Sequence, residues 1–427
     1  MGNAAIEMPG VDALSPGGGE AKPGVDPAQV ALDDALEEAT IAARYLPELL
    51  PRDAVAERAA LVDALGRGDA REPAFPRPRA ARVHRGQRAV DRARALAHHS
   101  PAGELYLDRL EELELELALA ASMGHDRRST RRIAARRYGT GDEPVPVAAG
   151  EIPALAVADE LLATFAPVPP EPPELPPLPR GEGEPSAAGV MVRVASRAGL
   201  ALRVRVEPRL VSKAAASDGT VFLAPRPFGF REAFRLAAHE VLGHVCAAAN
   251  GRRQPLRLFH LGTASSFEDQ EGLCLLLEER SGLLDVPRLR MLAGRVVATA
   301  CFHGGAHFLE TARHLHRERG FSPEQAVGLA ERTYRGGGLA RDAAYLRGWL
   351  RVRRAVADGD ASVDALRAGR VGLSALDPLT RLRRAGVAVP SHYRPSLAYS
   401  LFATESGTSR LTSPPSFAAS FTTLELT

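Results

Sequence analysis

Ala237-Ala238-His239-Glu240-Val241-Leu242-Gly243-His244, answered downstream by Gln270-Glu271-Gly272-Leu273-Cys274, is the stretch that decides how this chain is read. Two imidazoles flank one carboxylate, and a second carboxylate arrives one helix later. That is the inventory of a hydrolytic zinc site: three protein ligands, an open position for water and a base beside it. The usual short zinc motif sets its histidines four residues apart, on one helix face. Here they stand five apart, which on a regular helix of ~3.6 residues per turn separates them by roughly 140°. Sharing one metal then demands that the helix widen, as in a single-turn π-bulge, or unwind between them. Gly243 is where the backbone deforms most cheaply.

On this reading His239 and His244 are neutral imidazole ligands and Glu271 is the carboxylate that completes three. Glu240 cannot ligate from the same turn without displacing its neighbours; it is expected to act as general base towards water. Glu268 and Asp269 lie close enough to Glu271 to be confused with it. Either could orient a ligand histidine, although carboxylates in the first turn of a helix are favoured on their own account. His260 reads as a core or loop histidine. His303 and His307, in Cys301-Phe302-His303-Gly304-Gly305-Ala306-His307, are the nearest thing to a rival site, and a glycine-bordered helix start explains them nearly as well.

Further blocks follow in order: Asn250-Gly251-x-x-Gln254-Pro255-Leu256, Tyr334-Arg335-Gly336-Gly337-Gly338 and Asp342-x-x-Tyr345-Leu346-x-Gly348. With His239-Glu240-x-x-x-His244 and the Gln-Glu-Gly-Leu-Cys run, they resemble the HExxxH metallopeptidase family. Its bacterial branch is named for flavohaemoglobin expression-modulating QEGLC motif proteins, and its animal members are similar to tubulin tyrosine carboxypeptidases. The resemblance implies a Zn2+ cofactor and the C-terminus of a protein or peptide as substrate. Tyr334 is the candidate to stabilise the oxyanion, and Arg335 or Arg341 to hold a substrate carboxylate in bidentate fashion. The family more often shows Thr-Lys-Asp where this chain has Ala340-Arg341-Asp342, a departure that touches substrate recognition and leaves the metal site intact.

Composition narrows the field further. The 427 residues are 45% apolar and 25% charged with a net charge of +2, so no bulk field favours nucleic acid or an acidic membrane. Lys22 and Lys213 are the lysines among 54 basic residues, which reads as base composition rather than a recruited arginine surface. Cys246, Cys274 and Cys301 are scattered in apolar contexts, as expected of small buried side chains in a reducing cytoplasm. No secretory signal and no membrane-spanning run is read, so the expected location is cytoplasmic.

Residues 1–27 are expected as a disordered arm. Residues 28–166 form a mainly helical N-terminal region, with helices expected near 30–46, 53–65, 85–98, 105–123 and 128–138. Residues 167–188, rich in Pro-Pro pairs, read as an extended stiff linker. Residues 189–390 are expected as the zinc metallopeptidase region, with strands at 190–194, 200–206 and 220–223 and a helix from Phe230 to Ala249, stopped near Asn250-Gly251. An edge strand near that helix would offer backbone groups to an extended peptide. Ser322-Pro323-Glu324-Gln325 signals a capped helix start, and the glycines after Tyr334 read as too many for a scaffold. Residues 391–427 read as a loose Ser/Thr-rich tail.

The fold class expected is therefore α+β, a zincin-like metallopeptidase with a small sheet beside the active-site helix. The function expected is zinc-dependent removal of a C-terminal residue. The alternative is a non-catalytic or weakly catalytic regulatory protein affecting expression of another protein; retention of Glu240 argues against it, since a binder needs no base.

Overall fold

Asp218-Gly219 turns the chain between two strands of a four-stranded sheet, and in this computed structural model both residues take positive φ, 42° and 78°. The structure describes residues 5–7, 26–69, 71–169, 171–181, 183–210 and 212–396. The rest of the expected arm, and the expected tail beyond residue 396, lie outside the described residues. The chain divides into two units that are not contiguous in sequence. The first takes its described residues from Pro169–Asp285, from Val352 onward, and from 5–7 and 26–27; the second takes Ala28–Val168 and Val286–Arg351.

The second unit is mainly helical. Its front helices are α1 (Pro27–Ala43), α2 (Ala54–Arg67), α3 (Ala80–Ala97), α4 (Gly103–Ser122) and α5 (Arg127–Tyr138). The helix expected near 105–123 is found as α4, where Leu105, Leu110, Leu113 and Leu117 bury one face at helical spacing. A two-stranded hairpin, Pro144–Val147 with Gly150–Pro153, leads into α6 (Ala154–Thr164). Ser322 starts the helix Pro323–Tyr334 through a capping box with Gln325, as its sequence signals. The glycines that follow are scaffold after all. Gly336 and Gly338 have φ of 65° and 141°, and a Cβ there would come within 2.5 Å of the Met123 sulfur and 2.2 Å of the Phe302 ring.

In the first unit, residues 190–194 are not a strand. They lie in α7 (Ala187–Arg197), whose start is capped by Ser186 accepting from the Gly189 N–H. Ala187, Val190, Met191, Val194 and Ala195 are buried, a 3.6-residue pattern that a local alternation of valines disguised. The sheet runs in the order β1 (Ala5–Glu7), β2 (Arg203–Val206), β4 (Thr220–Leu223), β3 (Ala214–Ser217). The central pair is parallel, with Val204 opposite Val221, and β3 forms the edge, antiparallel to its neighbour. The expected strand at 220–223 is found as read, and the one at 200–206 is shortened to its second half.

Beside the sheet the chain becomes helical from Phe230 to Arg253 without a break, as α8 (Phe230–Leu236), a π-helix (Ala237–Val245) and α9 (Cys246–Arg253). Asn250-Gly251 is therefore not a stop. Asn250 is buried and donates to the carbonyls of Arg367 and Tyr393, while its own carbonyl accepts from the His392 and Tyr393 N–H groups. Gln254, one turn on, bridges the carbonyls of Ala368 and Val389 and accepts from the Val389 N–H. These two amides strap the segment around 389–393 to the histidine helix. Within the expected linker, Leu175 bridges to Phe228 and Glu171 accepts from the Arg231 and Glu232 N–H groups at the start of α8. Among the described residues no helix is long and apolar enough to cross a membrane.

Candidate metal centre

The π-helix answers the five-residue spacing. Over Ala237–Val245 the helix widens, and the two imidazoles come to 5.2 Å between ring centroids, inclined at 74°. His239 is buried and His244 partly exposed, so one side of the pair faces outward. The facing helix, α10 (Ser266–Arg280), carries the Gln-Glu-Gly-Leu-Cys run. Leu273, Leu275 and Leu277 are fully buried, each contributing roughly 1.5–3 kcal/mol. Gln270 donates to the carbonyls of Leu366 and Val371 and ties the helix to that loop. Asp269 accepts from the Leu373 N–H and so anchors the same loop.

Gly243 earns its place by packing as well as by flexibility: a Cβ there would stand 2.3 Å from the Cys274 sulfur. The absence of a side chain lets the two helices approach until Glu271 reaches both histidines. Its Oε2 lies 3.2 Å from His239 Nε2 and 3.7 Å from His244 Nε2. Ligand atoms at the tetrahedral zinc distances of 2.0–2.2 Å lie roughly 3.4 Å apart, so these separations bracket one coordination edge.

Cys274 belongs to the same cluster: ligand atoms of His239, His244 and Cys274 all lie within 4.8 Å of one another. Two descriptions of the donor set therefore compete, and geometry discriminates. Cys274 Sγ is 3.6 Å from His244 Nε2 and 3.7 Å from Nδ1. A sulfur sharing a metal with Nε2 would sit beyond that nitrogen and much farther from Nδ1. Near-equal distances place the thiol against the ring, and burial, reinforced by Glu271, Glu240 and Glu278, pushes it well above the usual thiol range.

Glu240 is buried in the π-helix, and Glu278, fully buried on α10, accepts from His239 Nδ1 at 2.7 Å. Burial opposes a charge on His239, but hydrogen bonds to Glu271 and Glu278 outweigh it and raise the imidazole to about 9. Burial likewise opposes a charge on Glu271, and the two histidines hold it well below the carboxylate range. Glu240, Glu271 and Glu278 thus gather three carboxylates around the two imidazoles, with Arg235 3.5 Å from Glu278. Glu278 is the residue that sequence reading misses. Its signal was its place seven residues after Glu271, which returns it to the same helix face.

Tyr334, Arg335, Arg341, His303 and His307 are in the second unit, and His260 is in the first. Tyr334 is buried, and its hydroxyl bonds both Thr311 and the Ala306 carbonyl at 2.7 Å. Burial pushes it up to about 12. Arg335 is buried, and its Nε and one terminal nitrogen lack a hydrogen-bond partner among the described residues. Burial, with Arg332 beside it, lowers Arg335 to about 10. Arg341 is partly exposed. His307 caps a helix in a box with Glu310, and His303 is lowered to about 4 by burial; neither joins a cluster of three metal-binding side chains among the described residues. His260 lies 3.5 Å from Asp218.

Set against known proteins, residues 68–411 match the family model described as microtubule-associated tyrosine carboxypeptidase, which is most of the chain. No curated protein and no solved structure matches.

Proposed function

We propose, starting from the fact that this chain belongs to the microtubule-associated tyrosine carboxypeptidase family, that it is a zinc-dependent carboxypeptidase acting on a protein or peptide C-terminus. The observation that carries the zinc reading is the convergence of His239, His244 and Glu271, with Glu240 buried in the same π-helix. These three residues would hold the ion. When bound, zinc supplies Lewis acidity, polarising a peptide carbonyl and bringing the pKa of water towards ~7. Glu240 takes the proton of the attacking water and passes it to the departing amine. Glu271 and the two imidazoles stay fixed, because α10 and the π-helix are locked together at Gly243 and Cys274.

An extended substrate can lie along β3, the sheet edge that packs beside the π-helix, where Ala214-Ala215-Ala216-Ser217 presents small side chains. For the free carboxylate we keep Arg335 first, since its Nε and one terminal nitrogen lack a partner among the described residues, and Arg341 second.

The test is a comparison of C-terminal profiles of cellular proteins with the wild type and with Glu240→Gln, alongside zinc analysis. Glu240→Gln should keep metal and fold while losing turnover by roughly three or more orders of magnitude. Equal processing by both proteins would remove the peptidase reading.

A further inference from the structure

The fully buried Glu278 is used neither for core packing nor by the proposed proton transfer. It accepts from His239 Nδ1 at 2.7 Å through one oxygen, while its other oxygen is 3.5 Å from Arg235. Arg235 and His239 are four residues apart, so they rise from one helix face and meet the same carboxylate on α10. Burying a carboxylate costs several kcal/mol unless it is compensated, and an apolar residue at this helix position would have extended the Leu273–Leu277 core. A charge kept there needs a purpose beyond packing.

We propose that Glu278 is a positioning residue of the metal centre, and this rests on the reading of His239 as a ligand. A carboxylate accepting at Nδ1 keeps the proton on that nitrogen. Once an ion displaces the Nε2 proton, the Nε2 lone pair would be directed at it, with the ring plane fixed and the basicity of the ligand raised. Arg235 steadies Glu278 from the other side. The pair Arg235–Glu278 sets His239 before any ion arrives. His244 is held differently, by contact with Cys274, so the two histidines are not equivalent.

The experiment is a competition titration of the full chain with zinc against a chromophoric chelator, for wild type, Glu278→Gln and Glu278→Asp. Glutamine keeps the shape and loses the charge, and metal affinity should fall about 10–100-fold. Aspartate should recover part of that loss. Wild-type affinity in Glu278→Gln would overturn the proposal. The second readout is the 15N and 1H spectrum of the His239 ring in metal-free protein. Nδ1 should carry a strongly downfield proton that persists in Glu271→Gln and shifts in Glu278→Gln. If Glu278→Gln does not fold, the wild-type and Glu271→Gln spectra still decide, since lack of that downfield proton rejects the hydrogen bond. If wild type takes up no zinc, the ligand reading fails by itself, and the ring spectrum continues to judge Glu278.

Discussion

Glu271 and Cys274 are three residues apart on α10 and both face the histidines, so the third ligand is a choice between a carboxylate and a thiol. Oxygen distances of 3.2 and 3.7 Å to the two Nε2 atoms favour Glu271, and the thiol's place against the His244 ring favours packing for Cys274. Zinc analysis of purified variants decides between them. Glu271→Ala should lose most of the metal, whereas Cys274→Ala should keep about one ion per chain. The reverse pattern would transfer the ligand to sulfur. At this scale the gathering of the histidines, Glu240 and Glu271 was legible, because side chains of metal-ligand type at a fixed spacing are a local signal. Glu278 was not: a glutamate closing an apolar run reads equally well as the polar end of a helix.

Elements were legible where one period dominated. The front helices and the capped start at Ser322 follow from spacing and capping chemistry. Residues 187–197 misled, since Val190, Val192 and Val194 alternate while the buried set follows the helical period. Asn250-Gly251 misled for another reason: tertiary hydrogen bonds to Arg367 and Tyr393 hold a turn-like pair inside a helix. The widened turn at Ala237–Val245 was required by the five-residue spacing and is present. Gly243 tests how tightly that element is coupled to α10. Gly243→Ala puts a methyl group 2.3 Å from the Cys274 sulfur, so denaturant unfolding should show a loss of roughly 1–3 kcal/mol. The same change in a Cys274→Ala background should cost much less, because the clash has gone. An equal cost in both backgrounds would place the penalty in the π-helical backbone itself.

For the whole molecule, local patterns could not foretell that 286–351 would join residues before 168. That grouping depends on contacts between distant positions, such as Glu72 with the Leu309 N–H and Arg58 with Glu331. Which end of a substrate is read is likewise a property of the full chain. A carboxypeptidase must meet the terminal carboxylate with a cation, and arginine suits this because its planar fork stays charged at working pH. Arg335, lowered to about 10, remains a cation at neutral pH, and its Nε and one terminal nitrogen lack a partner among the described residues. Peptide cleavage measured with free and amidated C-termini, in wild type and Arg335→Ala, gives the decisive cycle. Amidation should cost the wild type roughly 10–100-fold in kcat/KM, the worth of a charge-assisted hydrogen bond. It should cost the variant little more, because both changes remove one shared interaction. Zinc content should be the same in both proteins. If amidation costs the variant as much as the wild type, the carboxylate is read by another residue, with Arg341 next to be tested. If amidated peptides are cut as fast as free ones, or cuts fall within the chain, end recognition is lost and the metal centre stands without it.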